Sequence, residues 1–122
     1  MTQKEMIERI AEDIFGCKID NQLNIVHPNP WSYHGGNRDE WAKVYSWTPD
    51  DGFVDITESD NIPKRYTQVA AQSGADSELL PNFKIDELNL PCGVYLILFY
   101  QESGSWEDIE WSSLVGKVIY QL

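Results

Sequence analysis

Gly93-Val94-Tyr95-Leu96-Ile97-Leu98-Phe99-Tyr100-Gln101 is the stretch on which the fold of this chain turns. Its central residues, 94–100, form an uninterrupted apolar and aromatic run, with neither the alternation of a half-exposed strand nor the period of an amphipathic helix. Such a run belongs to a strand in the middle of a sheet, covered on both faces. It is the longest apolar window in the chain and far too short to span a bilayer.

One cover for that strand is legible at the N-terminus. Thr2 and Glu5 have the spacing of a capping box, and Met6, Ile7, Ile10, Ala11, Ile14 and Phe15 recur at helical intervals before Gly16 offers a left-handed stop. The other strands are read from period-two patterns. In 41–48, Trp41, Lys43, Tyr45 and Trp47 alternate with smaller residues, Pro49-Asp50-Asp51-Gly52 supplies turn chemistry, and 53–57 resumes as a strand, so the segment predicts a hairpin. A helix over 39–45, capped by Asn37 and Glu40, is the competing reading, and the aromatic and β-branched content favours the strand. Residues 17–19 and 23–26 flank an Asp20-Asn21 turn signal as a short hairpin or an irregular strand. Residues 102–105 are expected to turn the chain, and 117–122 to close it as a strand after Gly116.

Between these elements, 27–37 reads as a proline- and glycine-rich loop, and 73–91 as a loop with a short extended piece around Phe83, Ile85, Leu88 and Leu90. Pro63 at a first helical position, Tyr66, Val69 and Ala70 on one face, and Gly74 beyond the end predict a second short helix over 63–72. The expectation is one α+β domain over 1–122: a mainly antiparallel sheet of about four to six strands, with an N-terminal helix and a second short one.

A chain of 122 residues can bury a core without staples. Cys17 and Cys92 match no metal or redox spacing and read as small buried side chains in a reducing compartment, with a disulfide not required. The polar N-terminus lacks the apolar core of a secretory signal, which gives the expectation of a cytoplasmic protein without membrane association.

The formal charge is −11, and it is concentrated. In 39–60, Asp39, Glu40, Asp50, Asp51, Asp55, Glu58 and Asp60 face Lys43 alone; in 76–110, Asp76, Glu78, Asp86, Glu87, Glu102, Glu107, Asp108 and Glu110 face Lys84 alone. Such a field repels nucleic acid and anionic membranes and steers basic partners. A charged surface also serves solubility alone.

Motifs for chemistry are sparse. His27 and His34, with Trp31 and Tyr33 between them, could line a ligand pocket or ligate a metal with Asp39 or Glu40, but no zinc-binding spacing is present, and surface packing is the simpler role. There is no G-x-S-x-G, no phosphate loop and no EF-hand, so no enzyme, cofactor or metal is expected. The constellation with most promise is Trp106-Glu107-Asp108-Ile109-Glu110-Trp111, taken with Asp50, Asp51, Asp55 and Glu58: aromatic anchors beside steering carboxylates are what a tight interface uses. Against it stands the plain reading of core tryptophans with solvated neighbours.

These residues lead to an expected function as an acidic inhibitor that neutralises a basic protein, such as a nuclease toxin domain or a nucleic-acid-acting enzyme, in the manner of immunity-type or anti-defence-type proteins. Two other readings stay open: a small-molecule-binding domain or minor enzyme built on His27, Trp31, Tyr33 and His34, and a structural subunit of an assembly.

Overall fold

The computed structural model describes residues 1–21, 37–63, 70–73, 88–104 and 109–121, with side chains left aside at 37–41, 70–73, 101–104 and 109–113. Helix α1 (Gln3–Phe15) is followed by strands β1 (Lys18–Ile19), β2 (Asn37–Thr48), β3 (Gly52–Asp55), β4 (Ala70–Ser73), β5 (Gly93–Gly104) and β6 (Ile109–Gln121). The strands form one sheet in the order β1-β6-β5-β2-β3, with β4 also on β2.

The apolar run lies where its composition requires. β5 is hydrogen-bonded to β6 on one side and to β2 along nearly its whole length on the other. Its side chains alternate between two cores. Tyr95, Ile97 and Phe99 pack with Ala42, Val44, Ile119, Ile62, Leu88 and Leu90. On the opposite face Leu96 and Leu98 pack with Val118, Trp47, Cys17 and the α1 residues Ile7 and Ala11. A helix thus covers one face, and chain segments without regular structure cover the other.

α1 begins and ends as its sequence indicates. Thr2 Oγ1 accepts from Glu5 N at 3.1 Å, and Gly16, at φ 64°, donates its N–H to Glu12 O at 2.9 Å. The hairpin β2–β3 is also present, and both the 93–101 strand and the C-terminal strand are longer than expected: Glu102, Ser103 and Gly104, read as a turn, continue β5, and Gly116 lies inside β6.

Three further expectations are corrected. The sheet is mixed rather than mainly antiparallel, because Lys18 and Ile19 join Val115 and Gly116 in parallel; residues 23–26, read with them as a short hairpin or an irregular strand, lie outside the described residues. The partner of β1 lies almost a full chain length away, where no local pattern reports it. The helix over 63–72 is not found among the described residues: Ala70, Ala71 and Gln72 are in β4, paired antiparallel with Arg38, Asp39 and Glu40. There β2 has run past the end of β3, and its open backbone groups take a ladder that outweighs the modest helix preference of alanine and glutamine. Cys17 is buried, but Cys92 is exposed, and both are free thiols. Cys92 sits between Pro91 and Gly93, before β5 enters the core. No helix among the described residues is long and apolar enough to cross a membrane.

Candidate protein-binding site

The acidic segment 50–60 is held on a well-braced frame. At the hairpin turn Thr48 Oγ1 accepts from Asp51 N at 3.1 Å, and Gly52 takes φ 67°, a left-handed conformation that glycine adopts without strain. Asp50 and Asp51 are exposed at this tip. Where β3 ends, Asp55 Oδ1 accepts from Thr57 N at 2.9 Å, turning the chain away from the sheet. Thr57 fastens that departure: its Oγ1 accepts from Val44 N at 3.1 Å and donates to Val44 O, which also accepts from Ile56 N. A tight turn from Ile56 to Ile62 follows, closed by Ser59 N to Ile56 O and Ile62 N to Ser59 O. Because Ile62 is buried and Ile56 packs on the same core, Glu58 and Asp60 are held outward between two apolar anchors. Asp50, Asp51, Asp55, Glu58 and Asp60 are thus all exposed on one stretch of ordered chain.

Beside Asp55 lie aromatic rings on the helix-bearing face. Register places Tyr45 opposite Asp55 and Trp47 opposite Phe53. Since Ile56 N donates to Val44 O, the 44/56 pair is hydrogen-bonded, and the adjacent 45/55 pair is the kind in which side chains approach more closely. Phe15, at the end of α1, stands 4.7 Å from the Tyr45 ring and 5.5 Å from the Phe53 ring, the latter edge-on. Lys43 extends its Nζ over the Tyr100 ring, 5.8 Å from the centroid. Trp47 is buried beneath the group, while Phe15, Lys43, Tyr45, Phe53 and Tyr100 are partly exposed. Burial raises the Tyr45 and Tyr100 phenols above their ordinary value; Tyr100 and then Asp55 add to the shift at Tyr45, as Cys17 and then Asp55 do at Tyr100.

The structure therefore leaves Asp50, Asp51, Asp55 and Glu58 exposed along one ordered segment of chain. It does not bring them to the second expected cluster. β2 runs antiparallel to β5, so Trp47 lies beside Val94 and Asn37 beside Gly104, and Trp111 pairs with Ser103 at that far end. With β2 twelve residues long, the hairpin tip and the end bearing Glu110 and Trp111 lie on the order of 35 Å apart. Trp106, Glu107 and Asp108, and the alternative pocket of His27, Trp31, Tyr33 and His34, fall outside the described residues. Among the described residues no group of three or more His, Cys, Asp or Glu side chains is arranged to hold a metal ion.

Phe15, Lys43, Tyr45, Phe53 and Tyr100 were not among the expected site residues. The alternation of Lys43, Tyr45 and Trp47 carried the signal that they share a face; which of the two faces would stay partly open depends on where the helix lies. Comparison with protein-family models, with curated proteins and with solved structures finds no match to this chain.

Proposed function

We propose that this chain is an acidic protein-binding inhibitor that neutralises a basic partner, such as a nuclease toxin domain or another nucleic-acid-acting enzyme, as an immunity-type or anti-defence-type protein. The observation that carries the reading is the row of exposed carboxylates at Asp50, Asp51, Asp55, Glu58 and Asp60, braced by backbone bonds and flanked by partly exposed aromatic rings. Pre-ordered charges lower the entropy lost on docking and speed encounter with an oppositely charged surface. Partly exposed rings supply the apolar contact that charge alone does not. A net charge of −11 makes nucleic acid itself a poor ligand and a protein that binds nucleic acid a good one.

The test starts with capture of the partner from the native host at low salt, followed by association kinetics with the purified pair. Between roughly 50 and 500 mM salt the association rate is expected to fall by about tenfold or more. Reversing Asp50, Asp51, Asp55 and Glu58 to lysine should reduce it similarly at low salt. A rate insensitive to both salt and charge reversal overturns the proposal.

A further inference from the structure

Resting on that reading, we propose that the outer edge of β3 receives an extended segment of the basic partner as an added strand, with the segment's basic residues on the side of Asp55 and its apolar residues on the side of Val54. β3 ends the sheet: among the described residues its backbone is paired with β2 alone. Which of its groups stay open follows from the register. The 44/56 pair is hydrogen-bonded through Ile56 N and Val44 O, and hydrogen-bonded pairs recur at every second residue, so Val54 turns its N–H and C=O toward β2. Phe53 and Asp55 turn theirs outward. Their donors and acceptors stand in a row on an ordered strand, which is the template that strand addition uses.

Charge selects the occupant. Asp50 and Asp51 precede the edge, Asp55 lies on it, and Glu58 and Asp60 follow it, all of them exposed. A second copy is disfavoured, because every antiparallel self-pairing through the outward groups sets acid against acid. Centred on Phe53 it opposes Asp51 and Asp55, centred on Asp55 it opposes that carboxylate to its own copy, and centred on Val54 it brings the Asp50 tip toward Glu58. A strand that carries lysine or arginine turns the same charges into attraction. The alternation of side chains along a strand assigns the rest. Asp55 lies opposite Tyr45 on the helix-bearing face, whereas Val54, 45% exposed, lies opposite Ser46 on the other face. A segment of alternating basic and apolar residues therefore meets a carboxylate on one side and an open valine on the other.

The edge can be tested on the full chain with an acetylated and amidated peptide of alternating lysine and valine, read by amide hydrogen exchange resolved residue by residue. One control is the same peptide with its backbone amides N-methylated, which keeps the charge and removes the donors; the other carries glutamate in place of lysine. The lysine peptide is expected to slow exchange at Phe53 and Asp55 several-fold and to leave Val54, already bonded to β2, unchanged, and neither control should do so. Asp55→Ala and Asp55→Pro remove the same carboxylate, but only the proline removes the outward N–H. The proline variant should bind the peptide about fivefold more weakly than the alanine variant, the worth of one backbone hydrogen bond. Exchange in the parent chain needs no substitution, so the test stands even where the proline variant does not fold.

No protection at Phe53 and Asp55, equal protection by the N-methylated peptide, or protection that rises with protein concentration in the absence of peptide, which would reveal a second copy at the edge, would each overturn the inference. Failure here is distinct from failure of the proposed function. Salt-dependent capture that is lost on charge reversal at Asp50 and Asp51, with the Phe53 and Asp55 amides exchanging in the complex as they do in the free chain, removes the added strand and leaves the inhibitor.

Discussion

Gly116 shows how much a single missing methyl group governs this fold. A Cβ there would stand 3.0 Å from Ile19 Cδ1, 3.1 Å from Leu98 Cδ2 and 3.2 Å from Cys17 Sγ, so atoms from β1, from β5 and from the residue after the helix cap close on one point. Each contact is tighter than normal packing; Leu98 and Cys17 are buried in the core beneath α1 and Ile19 packs against it, so each would have to shift within a close-packed region. Gly116→Ala is therefore expected to destabilise the protein by about 1–3 kcal/mol, measured by urea unfolding, and Cys17→Ala in the same chain should recover part of that loss. Cys17 also sets a pH response. Burial, first, and the nearby charge of Glu12 push its thiol above the ordinary value of 9.0, against a smaller opposing effect of a backbone hydrogen bond. The folded protein holds this proton where the unfolded chain releases it, so stability is intact below pH 9.0 and declines as pH rises through the folded-state value. Tyr45, Tyr95 and Tyr100, raised from 10.0, add the same sign of loss at higher pH. Lys117, lowered chiefly by burial, has the opposite sign. Cys17→Ala leaves the tyrosine and lysine contributions in place, so the difference between its urea-unfolding profile and that of the parent isolates the thiol; the variant should decline less steeply just above pH 9.0.

Elements legible in the sequence were those whose signal is local and whose neighbours agree with it. The run 94–100 could be buried only on both faces, and α1 carried its cap, its stripe and its stop within one window. Residues 70–72 failed for the opposite reason. Alanine and glutamine prefer a helix weakly, and the vacant edge of β2 beyond β3 decided their structure from outside the window. The same distance effect hid the parallel pairing of β1, whose two residues contain nothing that points to β6. Most of the first acidic cluster was legible, because turn residues and exposed carboxylates are local facts, whereas the ring of Phe15 meets Tyr45 only once α1 lies across the sheet. The place where β3 leaves β2 depends on Thr57, whose hydroxyl serves both backbone groups of the fully buried Val44. Thr57→Val keeps the shape and removes both bonds, stranding a buried N–H. A loss of about 2 kcal/mol is expected, together with faster hydrogen exchange at the Val44 amide and at Ile56, while α1 amides keep their protection.

At the scale of the whole molecule, antiparallel β2 and β5 hold the acidic hairpin tip at Asp50 and Asp51 far from the strand end that carries Glu110. A sequence read as a line allowed the hairpin tip and the Trp111 region to form a single surface; the register places them at opposite ends of the same strands. The separation, on the order of 35 Å, is several times the screening length of about 8 Å at physiological salt, so the two ends act on a docking partner independently. At the hairpin end a carboxylate stands beside aromatic side chains that pack together, namely Asp55 with Tyr45, Phe15 and Phe53. Asp50→Lys with Asp51→Lys should accordingly slow association with the captured partner by about tenfold at low salt, and the effect should shrink as salt rises. Glu110→Lys, a change of the same charge per residue at the far end, should alter the rate by less than about twofold, because screening over that distance leaves little force on a partner seated at the hairpin. The opposite ranking would move the interface to the end that carries Trp111 while leaving the acidic inhibitor reading in place, and equal effects would require a partner long enough to span the sheet.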